Sequence, residues 1–315
     1  FQAEDGIRDS STSGGLGDVY KRQGIFPSSF RETADGEVEI LSFEKDLLTG
    51  QVLSALARER EQVVIDGFQT IESAYDSYFD VVTSNIPFGD TRIFDASFRK
   101  SDDPVRRQAL KAVHNYFFIK GLDTLREGGI LAFVTSAGVM DAPGNEPVRR
   151  YLMEHARLLS AVRLPNNLFT ENAGTEVGSD LIILQKNSGK NGELYYNEKL
   201  FVQTEQTPIG TSVNGYVWSI GSLSHTDLTK STDPYGKPAY KLMHRGDTAQ
   251  LAEDLREHLK IELHQLNREL YEKHSLHPVQ AESTDKSTPE EVRSSPKVEA
   301  VTSTANVFIL SLIHI

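Results

Sequence analysis

Phe79-Asp80-Val81-Val82-Thr83-Ser84-Asn85-Ile86-Pro87-Phe88-Gly89-Asp90 is a short apolar, β-branched run that stops at a polar residue and passes into a proline turn carrying an aromatic ring. In α/β proteins such runs are inner strands of a parallel sheet, and ligands sit beyond the carboxyl ends of those strands. Asn85 to Phe88 therefore fall where chemistry is expected. Asn85 offers an amide oxygen and an NH2 group, Pro87 fixes the backbone and Phe88 offers a π face, a set suited to a planar base with an exocyclic amine. The competing reading is a plain strand-to-loop turn with Phe88 filling core.

Upstream of this stretch, Val38 to Phe43 is a strand candidate ending at Glu44. Leu47 to Arg60 reads as a helix with Leu47, Leu48, Val52, Leu53 and Leu56 on one face, and Val63-Val64-Ile65 as a strand ending at Asp66-Gly67-Phe68. Downstream, a polar loop from Thr91 to Pro104 leads into a long amphipathic helix over Val105 to Arg126, with Glu127-Gly128-Gly129 as its stop. Ile130 to Thr135 is a strand, Glu146 to His155 a helix, and Leu158 to Leu164 a strand ending at Pro165. The run Leu181-Ile182-Ile183-Leu184, within Gly178 to Lys186, lies close enough to its predecessor to pair with it at the sheet edge. The alternation predicts an α/β fold: a mostly parallel sheet of about six or seven strands with an antiparallel edge hairpin, flanked by helices.

Beyond Lys186 the pattern weakens. Short strands are expected around Tyr195, Val202 and Trp218, and one charged helix over Thr248 to His274. Residues 275–309 hold Ser, Thr, Pro, Glu and Lys with few large apolar groups, the composition of a disordered linker.

The absence of cysteine among the 315 residues rules out a disulfide framework and a thiolate metal site, and fits a reducing cytoplasm. A formal net charge of −12 argues against a general polyanion-binding surface, so any DNA contact must be local or lie elsewhere. No stretch is long and apolar enough to span a bilayer. No His, Asp and Glu cluster has metal-ligand spacing along the chain; Glu257, His258 and His264 read as a solvated helix face.

Both ends are unlike the rest. Residues 1–23, FQAEDGIRDSSTSGGLGDVYKRQ, resemble a translated sequencing adapter, and residues 310–315 resemble a matching artefact, so both are set aside from fold reasoning. The alternative is a disordered arm and an apolar tail that belong to the protein. Gly14-Gly15-Leu16-Gly17 lies inside the first of these segments with no strand before it, and is rejected as a cofactor loop.

Phe43-Glu44-Lys45-Asp46, Asp66-Gly67-Phe68, Ser84 to Asp90, His114-Asn115-Tyr116-Phe117-Phe118, Arg126-Glu127-Gly128-Gly129, and Val162-Arg163-Leu164-Pro165 with Phe169 form an ordered series. From Gly24 to Lys186 that series resembles the S-adenosylmethionine-dependent DNA adenine-N6 methyltransferases, especially the modules fused in very large methylase/helicase proteins of bacterial mobile elements. The resemblance implies a Rossmann-like methyltransferase core over 24–190, an extension with the charged helix over 191–274, the linker over 275–309 and a non-native tail over 310–315. It implies S-adenosylmethionine as cofactor and double-stranded DNA with a flipped adenine as partner. It also implies a cytoplasmic bacterial location and covalently linked helicase or target-recognition regions outside this stretch.

Residue by residue, Asn85, Ile86, Pro87 and Phe88 look like the family's catalytic tetrad. The Asn85 amide oxygen and the carbonyl of Ile86 are the implied acceptors for the two amine hydrogens, and Phe88 the stacking ring. The family usually has proline where this chain has Ile86. Glu44 corresponds to the acid that holds the cofactor's ribose hydroxyls. Asp66 and Phe68 correspond to contacts with its adenine, Phe68 reading equally well as core. Gly24-Ile25-Phe26 correspond to the tail of a glycine-rich first motif that is otherwise missing, which predicts that Gly24 and Phe26 line the cofactor and that the segment alone is inactive. No metal is implied. His114 to Phe118 read as helix packing, and Arg163 with Asn166-Asn167 as a solvated loop or a DNA contact.

Three other functions share some of these features. Related tetrads methylate cytosine N4 or a protein glutamine amide; a non-catalytic, DNA-associated or antirestriction scaffold would keep the fold; and a nicotinamide-dependent dehydrogenase would share the ribose acid without explaining the tetrad.

Overall fold

The structure is a computed structural model describing residues 25–34, 37–87, 91–169, 178–220, 223–232, 236–274 and 304–310. It opens with helix α1 (Ile25–Thr33), strand β1 (Glu37–Phe43), helix α2 (Leu47–Leu56), strand β2 (Glu61–Val64) and strand β3 (Phe79–Asn85). Helices α3 (Ala96–Lys100), α4 (Pro104–Ala109) and α5 (Val113–Thr124) lead to strand β4 (Leu125–Ser136). Helices α6 (Gly138–Asp141) and α7 (Glu146–His155) precede strands β5 (Ala156–Leu164) and β6 (Ser179–Lys186). With β11 (Thr304–Leu310) these strands form a seven-stranded sheet in the order β2-β1-β11-β3-β4-β6-β5. Only β6 runs against its neighbours, so the expected antiparallel hairpin of β5 and β6 sits at the edge, with β5 outermost.

The core lies mainly under the face covered by α5. Tyr116, Phe117, Phe118 and Ile119 of that helix are buried, and the Phe118 ring meets Phe133 of β4 edge-on with centroids 5.1 Å apart. On the opposite face, Phe26 and Phe30 of α1 pack against Ile40 and Val81. Val134, Val162 and Leu164 on that face pack with Leu251, Leu255 and Leu259 of helix α10 (Thr248–Glu262). Among the described residues no helix is long and apolar enough to cross a membrane.

Three expected helices differ. The helix over Leu47 to Arg60 ends at Leu56, because Ala57 turns into extended backbone. The single helix over Val105 to Arg126 is two, broken at residues 110–112. Its supposed stop lies inside β4 instead: Tyr78 N–H donates to the Thr124 carbonyl at 2.9 Å, Phe79 pairs with Leu125, and Arg126 is drawn into a buried ion pair with Asp80. The late helix also breaks, at residues 263–267, before α11 (Arg268–Lys273). Gln185 of β6 clamps that break, donating to the Asn267 carbonyl at 2.9 Å and accepting the Asn267 N–H at 2.9 Å.

Residues 193–219 form α8 (Tyr196–Val202), β7 (Thr204–Gln206), β8 (Ser212–Asn214) and α9 (Gly215–Ser219), so Val202 and Trp218 are helical rather than in strands. A hairpin of β9 (Thr226–Thr232) and β10 (Pro238–His244) is an element that sequence reading missed. The linker reading of 275–309 also fails at its end: Thr304–Leu310, which closes on the continuous apolar run Val307-Phe308-Ile309-Leu310, pairs in parallel with both β1 and β3 and so supplies partners to the backbone groups of both strands. Residues 1–24, 275–303 and 311–315, to which the adapter, linker and tail readings apply in whole or in part, lie outside the described residues.

Candidate active site at the carboxyl edge of the sheet

The chain order reverses direction between β1 and β3, the position in an open α/β sheet where ligands collect beyond the strand ends. Phe43, Leu310 and Ser84 stand in one row across β1, β11 and β3. Glu44 and Asn85 are each one residue further on, two strand spacings apart, which is roughly 10 Å.

Asn85 ends β3 opposite Val134, and its amide oxygen is buried with no hydrogen-bond partner among the described residues. A buried acceptor left unsatisfied costs about 1–3 kcal/mol unless a ligand or water meets it. The hydroxyls of Ser84, Thr135 and Ser179, at the adjoining ends of β3, β4 and β6, are in the same condition among the described residues. Ser84 stands in the series that carries the resemblance but without a role of its own, and Thr135 and Ser179 were not identified from the sequence, where isolated Ser and Thr at strand ends carry no signal. Ile86 is 1% exposed within the main core, and its N–H donates to the Val134 carbonyl at 2.8 Å. Pro87 is half-buried, and Phe88 lies outside the described residues.

Glu44 is 1% exposed. Its N–H donates to the Val64 carbonyl at 3.0 Å, and its Oε1 accepts the Asp46 N–H at 2.8 Å. Asp46 then caps α2 by accepting the Thr49 N–H at 2.8 Å, so the acid is held by the turn that starts the helix. Asp66 is exposed and accepts the Gly67 N–H at 2.6 Å. Phe68, 1% exposed, packs edge-on against Phe43, Tyr116 and Phe117, which is the core placement of its two readings. Phe26 is half-buried on Ile40, while Gly24 lies outside the described residues.

Arg163 and Asn166-Asn167 are not a solvated loop. Arg163 pairs with Asp180 and, at 3.0 Å, with Asp141. Burial pushes the Asp180 carboxyl up to about 6 against the pull of Arg163. Asn166 accepts the Leu242 N–H at 2.9 Å and Asn167 brackets the His244 backbone, so both clamp β10 to the end of β5. His258 also departs from its expected solvated face, lying 3.1 Å from Glu262. The absence of metal-ligand spacing holds along the chain but not in space: donor atoms of His225, His244 and Asp254 lie within 4.8 Å of one another. A cavity of about 350 Å³ between Glu39, Arg60, Tyr75 and Phe79 opens at the amino ends of the strands, the edge opposite Asn85.

No curated protein sequence matches the chain. Among solved structures it is similar to a Listeria monocytogenes protein described as a class I S-adenosylmethionine-dependent methyltransferase, with 17% identity and a TM-score of 0.43 over 52% of this chain and 49% of that one. It is similar to a chain of a type I restriction-modification system, with 22% identity and a TM-score of 0.38 over 46% of this chain and 30% of that one. The M protein of the type I restriction enzyme EcoKI is similar at 14% identity and a TM-score of 0.38, over 72% of this chain and 58% of that one. The chain thus spans about half or less of the first two of these proteins. The N-6 DNA methylase family model matches residues 55–213, just over half of the 315 residues, and the chain belongs to that family.

Proposed function

We propose that this chain carries the cofactor and target-base sites of an S-adenosylmethionine-dependent DNA adenine-N6 methyltransferase. The observation that carries the reading is the buried amide oxygen of Asn85, without a partner among the described residues, at the carboxyl edge of β3, two strand positions from the buried Glu44. Family membership and the relatives described as methyltransferases or restriction-modification subunits support it.

The amine of adenine is a poor nucleophile because its lone pair is delocalised into the ring. Acceptors on its two N–H groups favour a more pyramidal nitrogen and so stabilise the transition state more than the ground state. In this reading Asn85 Oδ1 and the Ile86 carbonyl are those acceptors, and Phe88 stacks on the flipped base, worth about 1–3 kcal/mol. Glu44 suits a ribose, being a carboxylate fixed at a strand end. Asp66 takes the cofactor's amine, and Gly24 and Phe26 close the methionine side. S-adenosylmethionine supplies an already activated methyl group, so the protein contributes orientation and hydrogen bonding.

The test is cofactor binding and methylated-residue analysis of DNA and protein incubated with a longer protein that joins this chain to a glycine-rich first motif, beside Asn85→Ala in the same protein. N6-methyladenine that disappears in Asn85→Ala, with cofactor binding retained, is the expected result. N4-methylcytosine or methylglutamine as the product would replace the acceptor. Cofactor binding with no methylation of DNA or protein would favour the scaffold reading.

A further inference from the structure

The β9–β10 hairpin and α10 bring together three metal-binding groups that stand far apart in the chain. His225 precedes β9, His244 ends β10 and Asp254 lies on the second turn of α10. His225 Nδ1 is 2.8 Å and His244 Nε2 is 2.9 Å from the same carboxylate oxygen, Asp254 Oδ2. We infer that His225, His244 and Asp254 form a binding site for a divalent transition metal of the Zn2+ class, which fastens the open end of the hairpin to α10.

The donor set is two imidazoles and one carboxylate, the borderline-soft combination that suits Zn2+ with a fourth position left for water. The His225 side chain is 54% exposed, whereas His244 is 1% and Asp254 6% exposed, so the site is closed on the protein side and open on one. Tetrahedral bonds of about 2.0–2.1 Å place ligand atoms about 3.3 Å apart, so each nitrogen moves only slightly away from Asp254 Oδ2, while the two nitrogens, within 4.8 Å of each other, converge on the ion.

The surrounding groups support ligation independently. The second carboxylate oxygen, Asp254 Oδ1, accepts from Gln250 Nε2 at 2.9 Å, which holds the carboxylate with Oδ2 toward the imidazoles. His244 Nδ1 lies 3.0 Å from the Gly246 N–H and 3.3 Å from the Gly246 carbonyl oxygen. With Nδ1 accepting from Gly246 N–H, Nε2 carries the proton and donates to Asp254. When Nε2 ligates a metal the proton sits on Nδ1, which then gives up the bond from Gly246 N–H and donates instead to the Gly246 carbonyl oxygen. An imidazole with a backbone carbonyl behind its far nitrogen is the usual arrangement of a metal-bound histidine. The site reaches the sheet through Asn167, which bonds both the N–H and the carbonyl of His244 and follows the end of β5.

The experiment titrates tag-free protein with Co2+ and then Zn2+, following Co2+ visible absorption and the thermal unfolding midpoint. One equivalent of Co2+ with ligand-field bands, displaced by Zn2+, and a higher midpoint with Zn2+ are expected. His225→Ala, at a half-exposed side chain, loses one bond to Asp254 and should lower the metal-free midpoint only slightly, but bind the metal at least about 10-fold more weakly. Asp254→Asn keeps an acceptor for the histidines but loses the charged ligand, and should bind weakly as well. Failure of the parent protein to take up either ion would overturn the inference, as would uptake of equal affinity in both variants. The three groups would then be a hydrogen-bonded clasp.

Discussion

The backbone N–H of Ile86 donates to the carbonyl of Val134 at 2.8 Å, a bond that a proline at position 86 would lack. Proline is the residue usual at this place in the family that the tetrad resembles. Here rigidity comes from one more rung of the β3–β4 ladder and from a side chain 1% exposed in the core. Ile86→Pro should therefore lower stability by about 1–3 kcal/mol, from a lost hydrogen bond and an imperfectly filled core site. Denaturant midpoints of parent and variant measure it; an unchanged midpoint would show that neither the bond nor the packing matters.

Glu44 tests the cofactor half of the site. Glu44→Gln keeps an oxygen to accept the Asp46 N–H and keeps the shape, but removes the charge that would hold ribose hydroxyls. Hydrogen bonds to charged groups contribute about 1.5–3 kcal/mol, so S-adenosylmethionine should bind roughly 10- to 100-fold more weakly, read by calorimetry. Equal affinity in the two proteins would remove Glu44 from the site.

The sheet was legible because its strands are short apolar runs ending at a polar residue or a proline, as Val81 to Asn85 and Leu158 to Pro165 show. The breaks in the long helices were not, because they depend on partners distant in sequence. Nothing near Arg126 announces that Asp80 will draw it into a strand, and nothing near Asn267 announces the Gln185 clamp. The candidate site was legible for the same reason as the strands: Asn85 and Glu44 each terminate an apolar run. Phe68 was ambiguous because a buried aromatic and a ligand-facing one look alike until neighbours such as Phe117, 5.3 Å away, are known. The His225, His244 and Asp254 group was invisible because a hairpin and a helix assemble it.

Gly128 is where α11 meets the sheet. Its φ is +76°, and a Cβ there would lie 2.4 Å from the Leu270 carbonyl oxygen, a backbone atom with no rotamer to escape by. Gly192, with φ +78° and nothing within 4 Å of the same added atom, isolates the backbone contribution. Gly192→Ala should cost about 1 kcal/mol and Gly128→Ala about 2–4 kcal/mol, since only the second must also displace α11. Equal losses in equilibrium unfolding would mean that α11 does not dock against β4.

Glu262 fastens the end of α10 to the sheet edge and should give the fold an acid-sensitive joint. Its carboxylate accepts from Tyr216 Oη at 2.6 Å, from Ser160 Oγ, and faces His258 at 3.1 Å. Burial alone would raise its pKa, but the contacts from His258, Ser160 and Tyr216 outweigh that and hold it below the ordinary glutamate value. A folded-state pKa below the unfolded one adds stability that is present above the unfolded value, near 4.5, and fades as pH falls through the folded value. Glu262→Gln keeps the shape and one acceptor but cannot ionise, so it should be less stable than the parent by about 1–3 kcal/mol at pH 7. That gap should narrow as the pH is lowered past the range where glutamate titrates. Denaturant unfolding of both proteins from neutral to acid pH reads the gap directly; one that stays constant would mean that the charge on Glu262 contributes nothing and only its shape holds α10 in place.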